Sequence, residues 1–272
     1  MVLLPQTYLN SVIAIGLAGD ISDSDRWIET GFLVGRPFEK GGVMAQHDFL
    51  VTNKHVLKGL KSFVIGFNPK AGSEGSKLIC YRSQLVRNRK RVWTGHPHKN
   101  IDIAVVGINA RALIDDERIV EPFDLRELMS ITEMKKRGVS EGDFIYILGY
   151  PMAAELIDQD WHDPIVRSGT IARIRDMLDG RRSEFLLDTF GFPGNSGGPV
   201  ILKPEHTAIA GTEPIDFACV IGIVSHHLSH YKTEQHSGLT KAVPAEYILD
   251  TIEAHVKRTR LGPNSSLYLD LD

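Results

Sequence analysis

The chain has 272 residues, 42% of them hydrophobic and 24% charged, and its formal net charge is -3. At roughly 150 residues per domain this length points to about two packed units, and the charge balance disfavours a globally cationic nucleic-acid binder. Cys80 and Cys219 build no multi-bridge framework, and neither has a second cysteine at metal-ligand spacing, so packing must hold the fold and neither metal nor cofactor is expected.

The opening residues lack a basic start, and Pro5, Gln6, Thr7 and Asn10 interrupt their apolar run. No secretory leader, transmembrane span or membrane contact is expected, and the chain reads as cytoplasmic, in a reducing compartment. Short β-branched and aromatic runs follow at Ser11 to Leu17, Thr30 to Val34, Asp48 to Thr52, Ser62 to Phe67, Lys77 to Tyr81 and Ile103 to Ile108. They predict a β unit over residues 1–120. The stretch 121–140 is a linker, in which Leu125, Leu128, Met129, Ile131 and Met134 suit a short amphipathic helix over Asp124 to Lys136.

A second β unit over 141–244 is predicted from runs at Phe144 to Leu148, Ile165 to Ile174, Phe185 to Thr189, Pro199 to Leu202, Ala218 to Ser225 and Leu239 to Val243. After Pro244, a terminal helix over 245–262 places Tyr247, Ile248, Ile252 and Val256 on one side and meets Gly262 and Pro263 as stop signals; residues 263–272 are a tail.

The densest chemical signal is Gly191-Phe192-Pro193-Gly194-Asn195-Ser196-Gly197-Gly198-Pro199. A serine framed by glycines can sit on a tight turn where backbone N–H groups point at a developing oxyanion. Its hydroxyl needs a base, and the base needs an orienting carboxylate. His55, just after the run Val51 to Asn53, and Asp102, at the start of the strand Ile103 to Val106, answer that demand. Taken singly, each is an ordinary surface, core or turn residue.

Together, Thr52-Asn53-Lys54-His55-Val56, Asp102-Ile103-Ala104-Val105-Val106 and Gly194-Asn195-Ser196-Gly197-Gly198-Pro199 resemble the chymotrypsin-like serine peptidases, particularly their disulfide-poor bacterial trypsin-like and HtrA-like branch. The order is His, Asp, Ser, at separations of 47 and 94 residues, and the likeness runs from about Ser11 to Val256. Gly222-Ile223-Val224-Ser225 is similar to the family's substrate-pairing strand, and Ser237-Gly238-Leu239 precedes the terminal helix. The resemblance implies an all-β fold of two antiparallel six-stranded β-barrels, with a short interbarrel helix and a C-terminal α-helix. It also implies that Ser196 attacks a peptide carbonyl, His55 transfers the proton, Asp102 holds the imidazole and the N–H groups of Gly194 and Ser196 form the oxyanion hole. Ser225 would donate a hydrogen bond to Asp102, while Thr189, Phe190, Ser225, His226, His227 and Gly238 would contact substrate.

The sequence departs from the family in three places. Asn195 stands where zymogen-type members carry an aspartate, so activation by N-terminal cleavage is not expected. Phe190 stands at the spacing of trypsin's acidic pocket base, with Asp188 and Thr189 adjacent. His227 falls where the family usually has glycine, which narrows the pocket entrance. The expectation is cleavage after small or medium apolar residues, with a narrow substrate range or activation by a regulatory partner protein.

His226, His227, His230 and His236, with Glu234, invite a zinc reading, but adjacent strand residues point to opposite faces, so substrate subsites and a surface loop are expected instead. Arg87 to Arg91 reads as a solvated loop, and His96 and His98 lie on the approach to Asp102. Two other functions compete. Gly194 to Gly198 also fits the G-x-S-x-G elbow of an α/β-hydrolase esterase using Ser196, with Asp216 and His226 downstream, although Val200-Ile201-Leu202 reads as a strand where that fold needs a helix. A catalytically silent binding platform is the other.

Overall fold

In a computed structural model, described over residues 4–18, 27–70, 79–151, 163–205, 215–229 and 236–259, the first half of the chain is a sheet built on a long hairpin. Its strands are β1 (Val12–Leu17), β2 (Trp27–Lys40), β3 (Val43–Thr52), β4 (Ser62–Phe67), β5 (Ile79–Gln84), β8 (Thr94–Gly95) and β9 (Ala104–Ile108). They pair in the order β5-β4-β1-β2-β3-β9-β8, while β10 (Phe123–Asp124) joins β2 in parallel. A separate hairpin of β6 (Val86–Arg87) and β7 (Lys90–Arg91) lies between the two ends of the sheet.

The second half is a closed antiparallel barrel of six strands. These are β11 (Phe144–Gly149), β12 (Ile165–Arg173), β13 (Phe185–Asp188), β14 (Pro199–Leu202), β15 (Cys219–Ser229) and β16 (His236–Pro244), in the order β11-β12-β13-β16-β15-β14. The all-β, chymotrypsin-like architecture expected from the sequence is therefore present, with one modification. The first unit is an open sheet of eight strands, not a closed barrel of six. Strand β8 is only two residues long and does not reach β5. Buried Leu85, Val92 and Trp93 fill the gap, and Leu85 N–H donates to Lys61 O while Val92 N–H donates to Leu85 O.

Six helices among the described residues decorate the sheets: α1 (Gln6–Asn10), α2 (Lys54–Leu57), α3 (Ala110–Asp115), α4 (Ile131–Lys136), α5 (Arg175–Leu178) and α6 (Glu246–Thr259). The helix predicted over Asp124 to Lys136 is split. Asp124 caps a single 3-10 turn, Leu125–Glu127, and Ser130 then starts α4 by accepting from Glu133 N–H at 3.1 Å. Side-chain oxygens at these two positions take up N–H groups that a continuous helix would leave to backbone carbonyls. The terminal helix α6 follows the second barrel in sequence but packs on the first unit. His255 Nδ1 lies 2.8 Å from Thr94 Oγ1, and Arg258 donates to the carbonyls of Arg91 and Val92. The tail, Gly262 and Pro263 fall outside the described residues.

Three apolar clusters result. One fills the first unit around Leu50, Phe63, Ile65 and Phe67, and one fills the barrel around Ile147, Phe185, Leu187 and Ile221. The third joins the halves through Phe32, Phe49, Tyr146, Leu148, Ile201, Val243 and Ile248. A fully buried side chain of this size contributes roughly 1.5–3 kcal/mol, so the shared cluster couples the two units strongly. Residues at their junction are thereby held at fixed separation.

Candidate active site

Strand β3 delivers the histidine. It ends at Thr52, and Asn53 then caps α2, with His55 in its first turn. Asp102, just before β9, faces that turn because β9 pairs with β3 in register from Thr52–Ala104 onward. Asn53 Nδ2 donates to Asp102 O at 2.7 Å and fixes the two backbones together.

The Asp102 carboxylate does two things at once. One oxygen, Oδ2, lies 2.5 Å from His55 Nδ1, and the other accepts from His55 N–H at 3.1 Å. The N–H of Lys54 also acts on this carboxylate. Burial pushes the Asp102 carboxyl up, but the bond and charge of His55 and the two N–H groups outweigh it, leaving the group below its ordinary value. The hydrogen bond that His55 donates to Asp102 in turn raises the imidazole, against a smaller lowering by burial; the charges of Asp102 and Glu29 add to the rise. An imidazole held this way has Nδ1–H pinned on the carboxylate and Nε2 free as a base.

The glycine-framed serine lies on the loop between β13 and β14. Gly194 and Gly197 have φ of +96° and +86°, a region that only glycine enters freely. A Cβ on Gly197 would stand 2.0 Å from Thr30 O and 2.4 Å from Thr52 Oγ1, so the loop is pressed directly on β2 and β3. Thr30 N–H donates to Ser196 O, Thr30 Oγ1 donates to Gly194 O at 2.5 Å, and Tyr150 N–H donates to Thr30 Oγ1 at 2.9 Å. Gly197 N–H and Val224 N–H complete the clamp through Val224 O and Gly198 O.

Close to this loop stands the carboxyl group of Glu29, on β2 next to Thr30. Burial pushes Glu29 up to about 7, with the charge of His55 and the polar groups of Ser196 and Gly194 acting in the opposite sense. Glu29 Oε2 is shielded from solvent and has no hydrogen-bond partner among the described residues. Sequence reasoning missed Glu29. Its only signal was a carboxylate inside a run of otherwise strand-forming residues, Trp27 to Val34.

The other predicted site residues are partly rearranged. Ser225 was expected to donate to Asp102; instead its Oγ pairs with His226 Nδ1 at 3.0 Å. A bulge between Val224 and His226 takes Ser225 out of register with β16 and swings the following histidine outward, where it is exposed. Thr189 is buried, with its hydroxyl toward Ser168 O and its carbonyl taken by Thr240 Oγ1. Asp188, its neighbour on the opposite strand face, is exposed and supplies no acidic pocket base. Phe190 is half exposed and stacks near Phe192, whose ring carries the Arg167 guanidinium at 4.9 Å. His227 is half-buried opposite Thr240, and Gly238 has φ of +82° with open space beside it.

His96 does not face the cleft. Its ring packs edge-on against Tyr247 of α6 at 5.3 Å, and His98 N–H donates to its Nδ1. His230 and Glu234 lie outside the described residues, and among the described residues no group of three metal-ligating side chains occurs. Asn195 is buried, and its Nδ2 has no partner among the described residues. Cys80 and Cys219 are free thiols.

Two β units meeting at a His–Asp pair and a glycine-framed serine loop define the class of trypsin-like peptidase folds. The sequence agrees: the model of the trypsin-like peptidase domain matches residues 30–210, more than half of the chain, and the chain belongs to that family. Comparison with curated proteins gives no match. Among solved structures, GrC is similar at a TM-score of 0.53 and 15% identity, over 93% of this chain and 97% of that one. The HtrA-type protease AlgW with decapeptide is matched at 15% identity and a TM-score of 0.49, over 92% of this chain. The chain spans 65% of the AlgW chain's length. Among the described residues no helix is long and apolar enough to cross a membrane.

Proposed function

We propose that this chain is a serine endopeptidase in which Ser196 is the nucleophile, His55 the general base and acid, and Asp102 the group that orients His55. The observation that carries this reading is the Asp102 carboxylate, 2.5 Å from His55 Nδ1 while anchored by the backbone N–H of His55. In the reaction, Ser196 Oγ adds to a peptide carbonyl as its proton passes to His55 Nε2. The oxyanion takes hydrogen bonds from Gly194 and Ser196 N–H, and each such donor is worth about 3 kcal/mol of transition-state stabilisation. His55 then protonates the leaving amine, and water hydrolyses the acyl-enzyme by the reverse proton path.

Thr189, Phe190, His226, His227 and Gly238 line the substrate side in this reading. A buried threonine and an exposed, stacked phenylalanine favour small or medium apolar residues over Lys or Arg. Membership of the trypsin-like peptidase domain family supports a peptide or protein substrate here. Action in the cytoplasm, on a narrow substrate set or under a partner's control, belongs to the same proposal.

Labelling with a fluorophosphonate, followed by identification of new protein ends, tests it. Wild type is expected to label and Ser196→Ala is not; the new ends should follow small or medium apolar residues. Absence of labelling in wild type under every condition would sink the peptidase reading in favour of a silent platform. Labelling lost in His226→Ala but kept in His55→Ala would favour the esterase.

A further inference from the structure

Away from the His55–Asp102 pair and the serine loop, the outside of the barrel carries a second arrangement of charge. Leu186 alternates along β13 with the core residues Phe185 and Leu187, so it faces outward. The register of β12, β13 and β16 sets Arg173 opposite Leu186 and Leu186 opposite Lys241. Residues paired across strands share a face, so two cations flank one apolar side chain, about 10 Å apart at the ordinary strand spacing. The connection from β12 to β13 adds Met177 of α5 and Arg182, and β15 adds Leu228; together they enclose a hollow of about 290 Å³. That volume is at the lower end of the range for small-molecule sites.

The charges around the hollow do not cancel. Arg173, Arg182 and Lys241 line it against Asp176 and Glu184, which leaves one positive charge in excess. Lys241 Nζ holds Glu184 at 3.2 Å, while Asp176, its side chain only 14% exposed, is approached by the guanidinium groups of Arg173, of Arg181 at 3.0 Å and of Arg182 at 3.5 Å. One carboxylate cannot occupy the N–H donors of three guanidinium groups, and Arg182 stands farther off than an ordinary hydrogen bond. Gathering like charges around so little opposite charge costs free energy that a bound anion offsets.

We propose that this hollow is a binding site for a small organic anion with an apolar tail, its carboxylate or phosphate head on Arg173, Arg182 and Lys241 and its tail on Met177, Leu186 and Leu228. Guanidinium forks suit the paired oxygens of either head, and the apolar side chains set it apart from a site for a bare inorganic ion. Two of its walls also hold the serine loop: β13 leads into that loop, and Val224 on β15 is bonded to Gly197 and Gly198.

The test is calorimetric titration of the full chain with octanoate and octyl phosphate, which carry head and tail, with octanamide, which carries the tail alone, and with inorganic phosphate, the head alone. Saturable binding of octanoate or octyl phosphate, one per chain, is expected, with octanamide and inorganic phosphate at least about tenfold weaker, because each lacks either the charge-assisted hydrogen bonds or the buried methylenes. The tighter of the two anions identifies the head as carboxylate or phosphate. Arg182→Gln and Leu228→Ser should each weaken that anion by about tenfold. Arg182 is exposed and Leu228 partly so, and either variant carries the test if the other fails to fold. Arg111→Gln, which removes an equal charge from the exposed face of α3, should leave the affinity unchanged. No saturable binding of either anion, equal affinity for octanamide, or an affinity unaltered in both Arg182→Gln and Leu228→Ser would overturn the site. An equal loss in Arg111→Gln would also overturn it, reducing the binding to general charge attraction.

Discussion

Thr30 Oγ1, on the second strand of the N-terminal sheet, donates a 2.5 Å hydrogen bond to the carbonyl of Gly194 in the barrel half and accepts from Tyr150 N–H at 2.9 Å. One buried hydroxyl thus satisfies two backbone groups of the other half and sets the plane of the Gly194 peptide. Thr30→Val keeps the shape and removes both bonds. It should cost about 2–3 kcal/mol, because two buried backbone groups lose their partner. Chemical denaturation measures that cost, and labelling of Ser196 should slow with it. An unchanged midpoint would show that the bond carries no stability.

Gly197 makes the same junction by having no side chain. Its φ is +86°, and a Cβ there would come within 2.0 Å of Thr30 O, which leaves no room for alanine. Gly197→Ala should destabilise the protein by about 2–4 kcal/mol and abolish labelling, whereas Gly41→Ala, also at positive φ but with open space around it, should cost about 1 kcal/mol. Thermal melts of the two variants separate steric conflict from backbone conformation.

The imidazole of His55 is raised by its hydrogen bond to Asp102, against burial, with the charges of Asp102 and Glu29 adding to the rise. The base is free only above that raised value, so kcat/KM on a peptide substrate should fall as pH drops, with its midpoint above the ordinary 6.5 of histidine. Asp102→Asn should lower kcat by about 10⁴ and move the midpoint down. Glu29→Ala should also move it down, by less. A midpoint that stays put in both variants would remove His55 as the titrating base.

His255 on α6 is fully buried, with Thr94 at its Nδ1 and no partner at Nε2 among the described residues. Burial, and to a lesser degree the Arg258 charge, lowers it to about 4. The unfolded chain takes this proton near pH 6.5 and the folded chain only near 4. The contribution to stability is therefore complete above 6.5 and is lost as pH falls toward 4, amounting to about 3 kcal/mol. His255→Gln, which cannot titrate, should be less stable at about pH 7.5 but should lose less on going to about pH 5. Parallel losses in the two proteins, measured by denaturant unfolding, would contradict this.

The sequence made His55, Asp102 and Ser196 legible because each sits in a short segment whose neighbours are fixed by local chemistry: a strand end before His55, a strand start after Asp102, glycines around Ser196. Alternating runs also revealed both β units, since strand periodicity is a local property. Closure of the first unit was not legible, because whether β8 reaches β5 depends on packing by Leu85, Val92 and Trp93. Nor was the orientation of His96 toward α6, or the pairing of Ser225 with His226 across a bulge.

Composition, spacing and motif order by themselves determined the two β units and the segments that carry the chemistry. Tertiary structure alone decided how the site is assembled. Glu29 lies 165 residues from Gly194 and 167 from Ser196 in the chain. Its strand meets their loop only because the two halves pack together, with Thr30 N–H on Ser196 O and Thr30 Oγ1 on Gly194 O. Hydrogen-bond satisfaction in that buried junction is a property of the assembled halves, and Thr30 on an ordinary-looking strand supplies it.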